Sequence, residues 1–199
     1  MITGSKVILR PRRLDDSHDD YSWETDPELA QLDAVTVTAP DFHRYLTGYI
    51  GELTSPQLNS QRFSIDTLDG KHIGNCAYYH INDTRGETEL GIMIGNRTYW
   101  DKGYGTDAVS TLINHIFGRT KLDRIYLKTL ASNKRAWACF RKCGFTVHGQ
   151  INKDGFNFLL MEIHRRQWPK APEETRQTPS SPAAGSSPPH SSGHKPPVP

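Results

Sequence analysis

The chain has 199 residues, 35% of them hydrophobic and 23% charged, with a formal net charge of +2. That length suits one domain, or one domain with a tail. The near-neutral total singles out no nucleic-acid or membrane partner, and the three cysteines (Cys76, Cys139, Cys143) make neither a disulfide framework nor a zinc pattern. "MITGSKVILRPRR" holds no long apolar run, so no secretory signal and no membrane span are expected, and the thiols read as small and buried in a reduced, cytoplasmic protein.

In chain order, "KVILRP" predicts a first strand. Residues 15–24 and 40–53 predict helices, the second capped by Asp41. "RFSIDTL" and "KHIGNCAYYHIND" predict strands joined by a hairpin turn at Asp69-Gly70. "ETELGIMIG" is a fourth strand. Residues 104–117 carry apolar side chains at 108, 109, 112, 113, 116 and 117, a helical spacing. "RIYLKTL" is a strand, residues 133–142 a helix, and "FTVHGQI" and "FNFLLMEIH" close the pattern. The sum is a mixed sheet with helices and no repeats. From Pro169 onward the chain is Pro/Ser-rich and lacks aromatics, so it cannot offset its ordering entropy. A folded domain over 1–168 and a disordered tail over 169–199 are expected.

"YWDKGYGTDA" places Gly103 and Gly105 where the helix at 104 begins. Glycines there allow a ligand to approach backbone N–H groups at a helix N-terminus, which favours anions. A phosphate-binding Walker loop would need Lys-Ser/Thr after the second glycine, where Thr106-Asp107 stands. A dinucleotide fingerprint would need the strand to run straight into Gly103, yet "NRTYWDK" intervenes. Two readings stay open: an anion site over residues 102–106, or simply a glycine-relaxed start of a helix.

Charge is polarised along the chain. Residues 96–143 hold ten Lys/Arg and three acids, while residues 14–43 hold nine acids and no Lys or Arg. A basic half suits an anionic ligand and an acidic half a cationic one; two ordinary solvated faces would look the same. No aromatic-basic motif accompanies the basic half, so a nucleic-acid partner is not expected.

"ELGIMIG…YWDKGYGTDAV…SNKRAWACFRKCGF" resembles the core of the GNAT superfamily of acyl-CoA-dependent N-acetyltransferases, and more narrowly the branch of RimJ/RimL-type ribosomal-protein N-terminal acetyltransferases and spermidine acetyltransferases. The resemblance implies an α/β (α+β) fold: a mixed, mostly antiparallel sheet of about seven strands flanked by about four helices. It implies that Trp100, Asp101, Lys102, Gly103, Tyr104, Gly105 and Thr106 wrap the pyrophosphate of acetyl-CoA. Ile92, Met93 and Ile94 would pair with its pantetheine arm, with Asn133, Phe140 and Lys142 on the other wall. Asn133 is also a good N-cap for its helix. No metal is implied.

The implied reaction is direct attack of a primary amine on the acetyl-CoA thioester, the acceptor being a cationic small molecule or a protein N-terminus, on a monomer or homodimer. An ammonium must lose a proton first, so a base is needed. Glu89 is the candidate, with Glu87 on the same strand face and His80 and His115 weaker; a pair of solvated strand carboxylates is the plain alternative. A backbone N–H at Met93 or Ile94 would hold the oxyanion. Many members have a tyrosine where Phe140 stands in "AWACFRKCGF", as the general acid. Its absence argues against a spermidine acetyltransferase, leaves water, the coenzyme, Tyr104 or Ser132 to supply the proton, and keeps open a non-catalytic acyl-CoA sensor. Asp15, Asp16, Asp19 and Asp20 are expected to steer the acceptor.

Overall fold

In a computed structural model, which describes residues 1–37, 40–55 and 57–168, the alternating apolar runs form one eight-stranded sheet. The elements are β1 (Ile2–Thr3), β2 (Val7–Arg10), α1 (Ser17–Glu24), α2 (Pro27–Leu32), α3 (Phe42–Thr54), β3 (Ser60–Thr67), β4 (His72–Asn82), β5 (Glu87–Met93), α4 (Tyr104–Arg119), β6 (Arg124–Leu130), α5 (Lys134–Lys142), β7 (Thr146–Lys153) and β8 (Phe156–His164). The expected tail at 169–199 lies outside the described residues.

The mixed, mostly antiparallel sheet and its flanking helices are as expected, with one more strand and one more helix than the sequence predicts. β1 has two residues, too few to show any period. α2 has six, shorter than the window in which helical spacing can be read. Its start is nonetheless well formed: Asp26 accepts from the N–H groups of Glu28 and Leu29, and Pro27 occupies the first helical position. The helix expected over 15–24 begins as a 3-10 turn, Leu14–Asp16, before α1. Asp41 caps α3 as predicted, accepting from the Arg44 N–H at 3.0 Å.

Strand order is β1-β2-β3-β4-β5-β6-β8-β7, with β5 and β6 the parallel pair. The apolar stripe of α4 (Ala108, Val109, Leu112, Ile113, Ile116) packs into a core with Val7 and Leu9 of β2 and Ile65 and Ile73 of the β3–β4 hairpin. The parallel pairing covers Glu87↔Arg124, Thr88↔Ile125 and Glu89↔Tyr126 and then stops, although β5 runs on to Met93 and β6 to Leu130. The two strands diverge beyond Glu89, and a wedge opens at their C-terminal ends.

Under α1, the sheet carries a buried ionic cluster. Arg10 holds Asp16 at 2.6 Å and Asp66 at 2.5 Å; the Ser64 hydroxyl and the Arg13 N–H also donate to Asp16. Asp20 accepts from Asn75 (2.6 Å), Tyr49 (2.9 Å) and Arg12 (3.2 Å), and lies 3.0 Å from the His72 ring. Burial opposes the charge on Asp16, but Arg10 and Ser64 outweigh it and hold the carboxyl down to about 2.

That cluster corrects the expected steering role of two of the four N-terminal acids. Asp16 and Asp20 are buried and spoken for. Two further acids of the same run, Asp26 and Glu28, accept from Arg97 at 2.7 and 2.8 Å. The acidic and basic halves read along the chain therefore partly neutralise each other in space.

Candidate functional site

The wedge continues into a cleft of about 380 Å³ between β5, α5, α2 and the loop before α4. Ile92, Met93 and Ile94 form one wall; Asn133, Phe140 and Lys142 stand on the other; Trp100, Asp101, Gly103, Gly105 and Thr106 close one end. Eleven of the thirteen candidate coenzyme-binding residues thus line one cavity. The other two, Lys102 and Tyr104, do not. The Lys102 ammonium turns back to donate to the Thr98 carbonyl at 2.6 Å, and Tyr104 packs edge-on against Tyr99 at 5.0 Å, beneath the Lys6 ammonium.

The loop is shaped for close approach. Gly103 has φ +86°, which a side chain would strain, and Asp101 has φ +56°, an uncommon conformation for a residue with a Cβ. These two residues bend the chain so that α4 starts facing the cleft. Gly105 is different, since it lies within α4 and a Cβ there would meet the Cys139 sulfur and Ile94 Cγ1, both at 3.7 Å. Those atoms belong to the cleft walls, so a side chain at 105 projects into the cavity. Trp100 fixes the loop: its indole N–H donates to the Ile94 carbonyl at 2.6 Å, and the Arg135 guanidinium lies over its ring.

Asn133 is the N-cap expected, accepting from the Ala136 N–H at 3.1 Å. Its side-chain NH₂ also donates to the Leu32 carbonyl at 3.5 Å, tying α5 to the end of α2. The helix that the sequence did not announce therefore roofs the cleft with Leu29, Leu32 and Asp33. The Asp26-Pro27 start was the signal that could have found it.

A second cavity of about 510 Å³ lies across β5. Trp23, Glu24, Asp33, Phe63, Tyr79, Gly91 and Met93 are on its walls. Asp33, Leu29, Ile92 and Met93 line both cavities, so the two meet at the open end of β5. Protein packed around Glu24 and Asp33 lifts both carboxyls above their ordinary range, although both residues keep exposed surface. Neither stood out in the sequence from the other acids of the run.

Glu89 is buried and lines neither cavity. Its carboxylate accepts from Lys128 at 3.0 Å and lies 3.1 Å from the His80 ring, while its cross-strand neighbour Tyr79 faces the second cavity. Glu87 pairs with Arg124 at 2.6 Å. Neither is the solvated carboxylate of the plain alternative. His115 packs among Phe63 and Tyr78, and burial lowers its pKa. Ser132 is on neither cavity wall, and Phe140 lines the first, packed edge-on to Phe145.

Among the described residues no cluster of three metal-ligating side chains occurs, and no helix is long and apolar enough to cross a membrane.

The chain belongs to the acetyltransferase (GNAT) domain family, whose model matches residues 6–146. It is accordingly an acyltransferase that depends on acetyl-CoA. A relative, the uncharacterized N-acetyltransferase p20 of Bacillus licheniformis, is 28% identical over 148 residues, 73% of this chain and 82% of that protein. Another, the spermidine N(1)-acetyltransferase of Escherichia coli K12, is 28% identical over 61% of this chain and 70% of its own. The crystal structure of the Vibrio cholerae spermidine N-acetyltransferase with CoA and spermine shares the fold at a TM-score of 0.72 and 19% identity, covering 82% of this chain and 98% of that one. The aminoglycoside acetyltransferase AAC(6')-Ib with coenzyme A matches at 0.67 and 21% identity, over 81% and 96% of the two chains. Polyamine acetyltransferases thus stand among its relatives although Phe140 replaces the tyrosine, and these matches lend nothing to the narrower RimJ/RimL resemblance.

Proposed function

We propose that this protein acetylates a primary amine on a small polycationic molecule, of the polyamine or aminoglycoside kind, by direct attack on acetyl-CoA. The observation that carries this reading is the meeting of two cavities at Met93, one floored by a glycine loop and the other holding Glu24 and Asp33. In this reading the pyrophosphate sits on the N–H groups at the start of α4, and the pantetheine arm runs along the unpaired edge of β5. The thioester then reaches Met93, where a backbone N–H takes the oxyanion.

Asp33, at the junction, receives the ammonium. Glu89 takes the proton through water, since its side chain is on the acceptor face of β5 but behind Tyr79. The departing thiolate needs little help: a thiol titrates near 8.5, so it leaves close to neutral pH without a strong acid. That makes Phe140 tolerable as a packing residue on the pantetheine wall.

The test is acetyl-CoA consumption by the purified chain across polyamines, aminoglycosides and peptides with free N-termini. Turnover only with peptides would favour the ribosomal-protein type of acceptor. Coenzyme binding without turnover on any class would favour a sensor. Two variants refine the reading. Glu89→Gln should lower kcat by about 100-fold or more while leaving coenzyme affinity in place, as positioned acid–base groups do; an unchanged pH–rate profile would remove Glu89 from the reaction. Asp33→Asn should raise the acceptor KM by about tenfold or more, the size of one charged hydrogen bond. It should also flatten the dependence of that KM on ionic strength. A KM and salt dependence equal to the parent's would place the ammonium elsewhere.

A further inference from the structure

Glu89 does not line the second cavity, and the side chains that engage it, Lys128 and His80, do not line it either. Tyr79 does. It pairs across the strands with Glu89, so the two side chains leave the sheet on one face. Gly91, two residues further along β5, shares that face. The Tyr79 ring leans over it: a Cβ at Gly91 would meet Tyr79 Cε1 at 3.2 Å and the hydroxyl oxygen at 3.5 Å. Glycine at 91 therefore gives the hydroxyl its room above the stretch of β5 that leads to Met93.

The ring is held in that place. The Thr88 hydroxyl donates to the Tyr79 carbonyl at 2.8 Å, and the His80 ring packs edge-on against Tyr79 at 4.9 Å. His80 has φ +53°, at the irregularity where the β4–β5 register shifts, and such bulges re-aim the side chains beside them. Among the described residues the Tyr79 hydroxyl makes no hydrogen bond, and it stays open to the cavity it lines.

We infer that Tyr79 is a catalytic residue of this reaction: its hydroxyl touches the acceptor ammonium at the junction of the cavities and relays the proton to Glu89. The inference rests on the reading of the second cavity as the acceptor's. The step is balanced. The Tyr79 oxygen takes a proton from the ammonium as its own O–H proton passes, over the water of the proposed path, to the Glu89 carboxylate. The amine is left neutral, Glu89 is left protonated, and Tyr79 ends as it began. Charged groups on several elements face this hydroxyl. Burial first, then the charges of Glu89 and Asp33, push it up to about 12, with Tyr126 adding to the effect and Arg62 opposing it. It thus keeps its proton at neutral pH, as a relay must, and both carboxylates at the ends of the path are near enough to act on it.

The experiment compares the full-length parent with Tyr79→Phe, Glu89→Gln and the double variant, using spermidine as acceptor and, where spermidine is idle, a peptide with a free N-terminus. Tyr79→Phe removes one oxygen and keeps the ring, so the melting temperature and the coenzyme affinity should stay at the parent's values. At pH 7 kcat should fall by about tenfold or more, the size of one hydrogen bond made in the transition state. The deficit should shrink as the pH rises towards the acceptor's own pKa, about 10 for an alkyl amine and about 8 for a chain terminus, because the amine then needs no relay. A merely structural defect would persist across that range. In the Glu89→Gln background the same substitution should lower kcat by less than about twofold, since two groups on one proton path do not act separately. A Tyr79→Phe enzyme as fast as the parent, a deficit equal at every pH, or full multiplication of the two losses in the double variant would overturn the inference. Turnover of the peptide alone would remove the polycationic acceptor instead, while the same readouts on the peptide's amine still decide the relay. A parent that acetylates no amine at all overturns both.

Discussion

Gly105→Val is expected to weaken acetyl-CoA binding by about a hundredfold or more while leaving the fold intact. The branched side chain would stand in the cleft, between the Cys139 sulfur and Ile94, and hold a pyrophosphate off the first N–H groups of α4. Losing even two charge-assisted hydrogen bonds, each worth about 1.5–3 kcal/mol, gives an effect of that size. Stability should not suffer, because Val is no worse than Gly inside a helix. Gly103 makes the contrast. With φ +86° it tolerates no side chain, so Gly103→Val should lower both the melting temperature and the affinity. Calorimetric titration and thermal melts on the two variants separate approach from conformation. A Gly105→Val protein that binds as tightly as the parent would take the pyrophosphate out of this loop.

Asp16→Ala should destabilise the protein by about 3–5 kcal/mol, the cost of leaving one partner of a buried ion pair uncompensated. Arg10 keeps Asp66 but loses its two-pronged contact with Asp16, and the Ser64 hydroxyl loses its acceptor. For a domain of this size the melting temperature should fall by roughly 6–20 °C. Asp19→Ala, exposed on α1, should stay within about 0.5 kcal/mol. The pH dependence carries a second signature. The folded carboxyl of Asp16 titrates near 2, below its ordinary 3.8, so its contribution is present above about pH 4 and is lost as the pH falls towards 2. His72 works in the opposite sense: raised above 6.5 by Asp20 and Asp16 against its burial, it contributes below that pH and less as the pH rises through its folded value. Urea denaturation from pH 2 to 5 should therefore show a shallower slope in Asp16→Ala than in the parent. Equal slopes would mean that the carboxylate is not the group being titrated.

The two variants also mark what a linear reading of this chain could and could not see. The α4 stripe, the hairpin at Asp69-Gly70 and the Asn133 cap are local patterns, encoded within a few residues of where they act, and all three are found. That the candidate residues would share one cleft was legible in part for the same reason: its glycine loop is one contiguous segment, directly after the strand that walls it. The acids were not legible. Asp16 and Asp19 look equivalent in sequence, yet one points at Arg10 and the other at solvent, a difference set by β2 and β3 from elsewhere in the chain. Asp33 gained its place only through α2, which is too short to show a period and is docked by Arg97 from the segment between β5 and α4. Lys102 and Tyr104 went the other way: inside the loop motif, their side chains turn out of the cleft.

The early end of the β5–β6 pairing has a consequence for how long the protein lasts. Three residue pairs, and the Arg124 bridge from Glu87 to Glu162, join a block of five strands to a block of three. Beyond that seam the edge of β5 is an unfinished piece of sheet. A molecule that lies along it adds its binding free energy to the folded state alone, about 2.7 kcal/mol at a hundred times its Kd. Were acetyl-CoA that molecule, it would be a reversible structural component as well as a reagent. The resistance of this chain to unfolding, and to any protease that waits on unfolding, would then rise and fall with the supply of its own acyl donor.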